Sequence, residues 1–473
     1  MDNESLGADK LYWRACGTTA RLSICTGVTL CYGSVGSRVT PMQVRSVIKA
    51  KTVGLLLFAT APHASAQQTG TTQPFSGNLV DIISNLYGGD GIRLQGSDAF
   101  SHAAHFTGDS LVQFNQLSLG VRDLSFPVLN PQIGVRFKYD SVLDEFVPTT
   151  ESISASAFAF DAETVGDGEF HLGLAYSSRR FSELGGVPLD ELSVDLAHMD
   201  LGDNGPDLPC IGGPIGACYA FERDVIRLSI DLGIKEEMFA LTGAYGISDR
   251  LDVSLFLPLL KTSVDVRSSA TIVENSTRQF FPVSVHLFGG DGDNPEDGLR
   301  ASKTGFGDAV LRVNYGVVAH QDDGWNVNAS LDVRLPSGQA GNLQGLPRIG
   351  FKPRLIASRE YDLGFAIARP HVNVAYGFNA GVNREQMLDY AVGGALVFNF
   401  EGIHSILALG ADFLGKHVTT KKDGRGDNQY DVSFGAKLHI HHGINLYYNI
   451  LLPANDSGLR PNAQHVAGLQ FKF

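Results

Sequence analysis

Cys210 and Cys218 bracket the run Ile-Gly-Gly-Pro-Ile-Gly-Ala and are the most reactive pair that the sequence offers. In an oxidising compartment two thiols flanking a flexible loop form a disulfide that pins it, and metal ligation is the lesser alternative. Residues 289–298, GGDGDNPEDG, are rich in oxygen ligands, but they lack the spacing of a calcium-binding helical loop and Pro295 interrupts them. A solvated loop is the expectation there. His439 and His441 share a strand face with His442 beside them, and His102 and His105 lie three apart, yet neither pair has a third ligand in view. A hydrolase would need a serine, a histidine and an orienting partner, and no glycine-flanked serine elbow marks one. The expectation is therefore no enzyme, no metal and no cofactor.

A larger polar set recurs at every second position. Asp308, Arg312 and Asn314 alternate with Ala309, Leu311, Val313 and Tyr315. Asn326, Asn328, Asp332 and Arg334 alternate with Trp325, Val327, Ala329, Leu331, Val333 and Leu335, while Lys352 and Arg354 fall on one face of residues 349–357. Period two with one apolar face is the pattern of a strand that meets lipid outside and water inside. These nine residues are the candidates to line a lumen, where opposed acids and bases would form an ion-pair ladder or select a solute.

The elements that must position them are strands. Clean alternation runs through residues 133–139, 170–176, 251–257, 309–317, 325–335, 349–357, 372–378, 390–398, 407–413, 430–440 and 444–452. The last residues end on an aromatic, with Ala467, Leu469, Phe471 and Phe473 on one face and Gly468, Gln470 and Lys472 on the other. Leu469, Phe471 and Phe473 look like the assembly signal of bacterial outer-membrane barrels. Short links at residues 248–250, 320–324, 359–362, 401–404 and 441–443 alternate with long ones at 267–305, 336–348, 379–386, 415–428 and 453–461, as short periplasmic turns alternate with long extracellular loops. The expected fold is all-β, a transmembrane antiparallel β-barrel of about 14 strands, with 12 or 16 as alternatives. The count depends on residues 224–246 being one long element, since Lys235, Glu236 and Glu237 could instead form a hairpin tip.

The beginning of the chain reads differently. Arg45, Lys49 and Lys51 precede the apolar run 53–59 and the small-residue site Ala64-Ser65-Ala66, the layout of a secretory signal peptide starting at Met42. Residues 1–41 are read as an over-extended start, 42–66 as the signal, 67–131 as an N-terminal plug in the lumen and 132–473 as the barrel. Ile82, Ile83, Leu86 and Tyr87 in the plug need burial. Aromatic residues are 9% and hydrophobic residues 43% of the 473, and no uncharged apolar stretch after Ala66 approaches a membrane helix in length. A helical membrane protein is excluded. After Ala66 there are 30 Lys and Arg against 47 Asp and Glu, which argues against nucleic acid as a partner.

The stretch Gly305-Phe306-Gly307-Asp308-Ala309-Val310-Leu311-Arg312-Val313-Asn314-Tyr315, then Leu335-Pro336-Ser337-Gly338, then Pro370-His371-Val372-Asn373-Val374-Ala375-Tyr376, resembles the meta-pathway phenol-degradation family of outer-membrane transporters. Residues 246–253 are similar too, and the resemblance covers residues 224–473. A plugged barrel of this size is also similar to the long-chain fatty-acid channel family. The resemblance implies passive movement of small hydrophobic or aromatic compounds across a bacterial outer membrane. A general polar porin and a non-transporting surface barrel are the alternatives. The expected partners are outer-membrane lipid, the barrel-assembly machinery and a small hydrophobic solute.

Overall fold

The computed structural model describes residues 72–88, 92, 94, 137–140, 145–148, 155–197, 224–274, 286–289, 294–319, 324–381, 386–400, 405–419, 428–440 and 444–472. Cys210, Cys218, His102, His105, His441, His442, Phe473, the signal segment and residues 1–41 lie outside them, as does the whole of the segment 95–131.

Twelve antiparallel strands close into a barrel. They are β1 (Phe170–Leu184), β2 (Val225–Ser248), β3 (Leu251–Val273), β4 (Glu296–Phe306, resuming as Val310–Val318), β5 (Asn326–Arg334), β6 (Gly350–Ser358), β7 (Ile367–Asn379), β8 (Gln386–Phe400), β9 (Ser405–Val418), β10 (Asn428–Ile440), β11 (Ile444–Pro453) and β12 (Leu459–Lys472). Each pairs with its neighbour in sequence, and β12 closes the ring on β1 from Leu459↔Leu184 to Lys472↔His171. Both halves of β4 pair with β3, so the break at residues 307–309 bends one strand and does not begin another.

The count is twelve, not about fourteen. Residues 224–246 are one long element, as the count required, and β2 runs through Lys235-Glu236-Glu237 in unbroken register with β3. The alternating residues 133–139 contribute Phe137–Asp140 to a separate two-stranded sheet with Glu145–Pro148. Period two marks a strand but not the sheet to which it belongs. Short and long connections alternate around most of the ring. The exception is the link 359–366, which carries the small strand Tyr361–Asp362 folded back on Ala368 and Ile367 and exceeds the link 380–385 across the barrel.

The wall sorts its side chains by face and by height. On β2 the outward row Phe239, Leu241, Tyr245 and Ile247 is apolar and exposed, whereas the outward row Arg227, Ser229, Asp231, Lys235 and Glu237 is polar. β3 repeats the change between Leu259 and Lys261. Inward, Ile226, Leu228, Ile230, Leu232 and Ile234 are buried and apolar above Glu236, and Met238 and Ala240 with Phe256 and Leu260 are buried below it. The upper part of the β2–β3 hairpin therefore projects roughly 40 Å along the strand beyond the apolar band, with a polar outer row and an inner row that shares a core with residues 79–86. Exposed apolar residues continue the band around the ring, among them Leu311, Val374, Val392, Leu409 and Phe434. Among the described residues no helix is long and apolar enough to cross a membrane.

Candidate functional site: a closed lumen

Two segments pack against inward faces of the sheet. The first is residues 73–88 at the long-connection end. Gln73 and Pro74 pair in parallel with Leu299 and Arg300 of β4, and 3₁₀ turns at Leu79–Asp81 and Ile83–Asn85 present Leu79, Val80, Ile82, Ile83 and Leu86 to the inward apolar face of the projecting hairpin. Tyr87 sits at φ 62°, a left-handed conformation that a side-chain-bearing residue rarely adopts. It is held by its N–H donating to Asp297 Oδ2 at 2.5 Å and its hydroxyl donating to Ser268 Oγ at 2.9 Å. Burial pushes the phenol up to about 12, so the ring docks as a neutral donor. Asp297, from the oxygen-rich stretch 289–298, thus spends one carboxylate oxygen on Tyr87 and the other on the Gly298 N–H.

The second segment, residues 155–165, runs inside the barrel just before β1. Ala155, Ser156, Ala157, Phe158, Ala159, Phe160, Asp161 and Ala162 are all buried. Its backbone is received by inward side chains. Asn449 Oδ1 accepts from the Ala157 N–H at 3.0 Å, Ser358 Oγ from Ala162 at 2.9 Å and Asp252 Oδ2 from Val165 at 3.1 Å. Asn373 exchanges both hydrogen bonds with Phe160, accepting from its N–H and donating to its carbonyl, each at 2.7 Å. A side-chain amide that copies a peptide bond satisfies a backbone the ladder cannot reach. Gly435 allows this approach, because a Cβ there would collide with the Ala155 carbonyl.

The nine lumen candidates divide by partner. Arg312 holds Asp332 with two bonds, Nε to Oδ1 at 2.5 Å and Nη2 to Oδ2 at 2.9 Å, and Arg354 adds a third at 3.2 Å. Asn314 and Asn328 both donate to the Glu163 carbonyl, at 2.9 and 2.8 Å. Asp308 accepts from the Gly338 and Leu346 N–H groups at 3.0 and 2.8 Å and pairs with Arg334 at 3.5 Å, which folds the connection 335–349 onto the wall. Lys352 pairs with Asp389 on β8 at 2.5 Å. Asn326 stands in the same row as Asn328 near the short-turn end, half-buried. Arg312, Asn314, Asn328 and Arg354 meet the inner segment or its contacts, whereas Asp308, Arg334 and Lys352 brace the wall and its connections. Leu469 faces outward from β12.

Several residues that do more were not singled out from the sequence. His371 stands between Asp161 of the inner segment, 3.0 Å from Nδ1, and Asp412 of β9, 2.8 Å from Nε2. Arg369 meets Glu163 at 2.9 Å and also Glu360. Lys437 points inward, 1% exposed, and its ammonium makes no hydrogen bond among the described residues. Arg179 and Glu236 form a buried pair at 2.8 Å. The available signal was parity: His371 and Asn373 alternate with Val372, Val374 and Tyr376, the same rule that selected Asn326 and Asn328. His439, considered for metal, is hydrogen-bonded to Asn445 at 2.9 Å, and no metal-competent cluster occurs among the described residues.

No family model and no curated protein matches the sequence. Solved structures similar to it include an outer membrane channel from Pseudomonas putida F1, 10% identical over 66% of this chain and 98% of that one, with a TM-score of 0.37. A mutant of the TodX monoaromatic hydrocarbon channel is 10% identical over 65% and 90% of the two chains, with a TM-score of 0.27. The NanC porin is 12% identical over 46% and 94%, also with a TM-score of 0.27. These likenesses are too remote to bear on what crosses this chain.

Proposed function

We propose that the chain is an outer-membrane channel for passive movement of small hydrophobic or aromatic compounds, closed in this structure by residues 73–88 and 155–165. In this reading the short turns lie in the periplasm, the projecting hairpin stands outside the cell, and no catalytic step or cofactor is required. Lipid covers the apolar band, and the barrel-assembly machinery inserts it. The observation that carries the reading is the change along the outward rows of β2 and β3 from an apolar band to polar residues, with an apolar inner face from Ile226 to Ile234 above it that residues 79–86 cover. Withdrawal of those residues would expose a face that desolvates a greasy solute before it meets the lumen. The charged interior favours one rival, a porin for polar solutes.

Two measurements test this. Replacing Leu241 by Arg should destabilise the protein by about 2–4 kcal/mol in vesicles, whereas Ser229→Arg on the same outward row, above the band, should be near neutral. Equal urea midpoints for the two variants would place Leu241 outside lipid. In proteoliposomes, flux of benzyl alcohol should exceed that of a pentose. Preferential sugar flux would select the porin, and no flux of either would leave a non-transporting barrel.

A further inference from the structure

The wall grips the inner segment at one point as it would grip a small molecule. The Phe160 ring, 1% exposed, lies between two guanidinium groups, with Arg312 Cζ and Arg354 Cζ each 4.1 Å from its centroid. Both cations are fixed by Asp332, so the slot is preorganised. Beside the ring the segment supplies two carboxylates. Asp161 meets His371, and Glu163 meets Arg369. Lys437, buried and without a hydrogen-bond partner among the described residues, feels the charge of both.

We propose that this stretch of the lumen is a binding site for a small aromatic carboxylate and that residues 160–163 are its built-in occupant. The inference rests on the channel reading above and names the solute class. Withdrawal of the segment vacates the slot between Arg312 and Arg354 and removes the carboxylates that face His371, Arg369 and Lys437. His371 keeps Asp412 and Arg369 keeps Glu360, so an arene alone refills the slot but leaves Lys437 without the carboxylates that faced it; an aliphatic anion does the reverse. A molecule carrying an aromatic ring next to a carboxylate satisfies both, as Phe160 and Asp161 do together.

Calorimetric titration of the full chain in detergent micelles tests the proposal, with benzoate, benzyl alcohol and acetate as probes. Phe160→Ala removes the internal competitor and should bind benzoate about tenfold more tightly than the unaltered protein, the equivalent of two cation–π contacts. Benzoate should bind this variant more tightly than either analogue, and adding Arg354→Gln should reverse the gain. Should Phe160→Ala fail to fold, as judged by heat-modifiable gel migration, Phe160→Leu retains bulk without the π face and should shift affinity in the same direction. Equal affinity for benzoate and acetate, or no gain on replacing Phe160, overturns the proposal. Binding is read without flux, so loss of the site with aromatic flux intact refutes only this inference. Benzoate binding without flux supports the site and refutes the channel.

Discussion

Replacing residues 155–163 with a Gly/Ser sequence of equal length should turn a closed barrel into a conducting one in planar bilayers. Twelve strands about 4.8 Å apart and tilted by about 40° form a ring roughly 24 Å across between backbones, leaving a bore of roughly 10 Å after inward side chains are counted. In the closed arrangement that bore is crossed by Phe158, Phe160 and alanines that are almost wholly buried. A Gly/Ser sequence keeps the chain length but loses Phe160 between its two arginines and both acids. Conductance should rise by at least about tenfold, the contrast between an aqueous pore and a filled lumen. Unchanged conductance would show that the segment is not the barrier.

His371→Leu should loosen the same closure by another route. The imidazole separates Asp161 from Asp412, and both carboxylates are buried. Removing one member of such a triad leaves uncompensated charge, at a cost of about 3–5 kcal/mol. The chain can lower that cost by moving Asp161 back to water, which means withdrawing the segment. The expected results are a lower unfolding temperature and frequent openings in single-channel records. Adding Asp161→Asn removes one of the two charges and should restore part of the thermal stability while leaving the segment loosely held. If His371→Leu matches the unaltered protein in both measurements, the triad does not hold the segment.

The wall was legible in the sequence because its physics is local. Alternation in residues 309–317 and 325–335 identifies β4 and β5 and gives the face of each polar residue, and the structure has Asp332 and Arg312 on one side with Leu331 and Leu311 on the other. Strand number was less legible, since alternation such as that of residues 133–139 marks a strand without saying which sheet it joins. The inner segment was not legible at all. Ser156, Phe158 and Phe160 alternate with small residues much as a wall strand would, and only distant partners on β7 and β11 decide that the segment pairs with side chains and not with a ladder. Attention to the apolar residues near the start of the chain found Ile82, Ile83 and Leu86, whose burial is real but lies against the projecting hairpin.

The distance along the chain between the inner segment and its anchors has a further consequence. Ala157 reaches Asn449 across 292 residues, and Phe160 reaches Asn373 across 213. Contacts of such separation form only after the intervening chain is in place. Residues 155–165 precede every wall strand, yet their partners lie on strands completed near the end of synthesis. The grip on Ala157 is therefore complete only once β11, the last strand but one, is in place, and the earliest of these elements in the chain is among the last to be fixed.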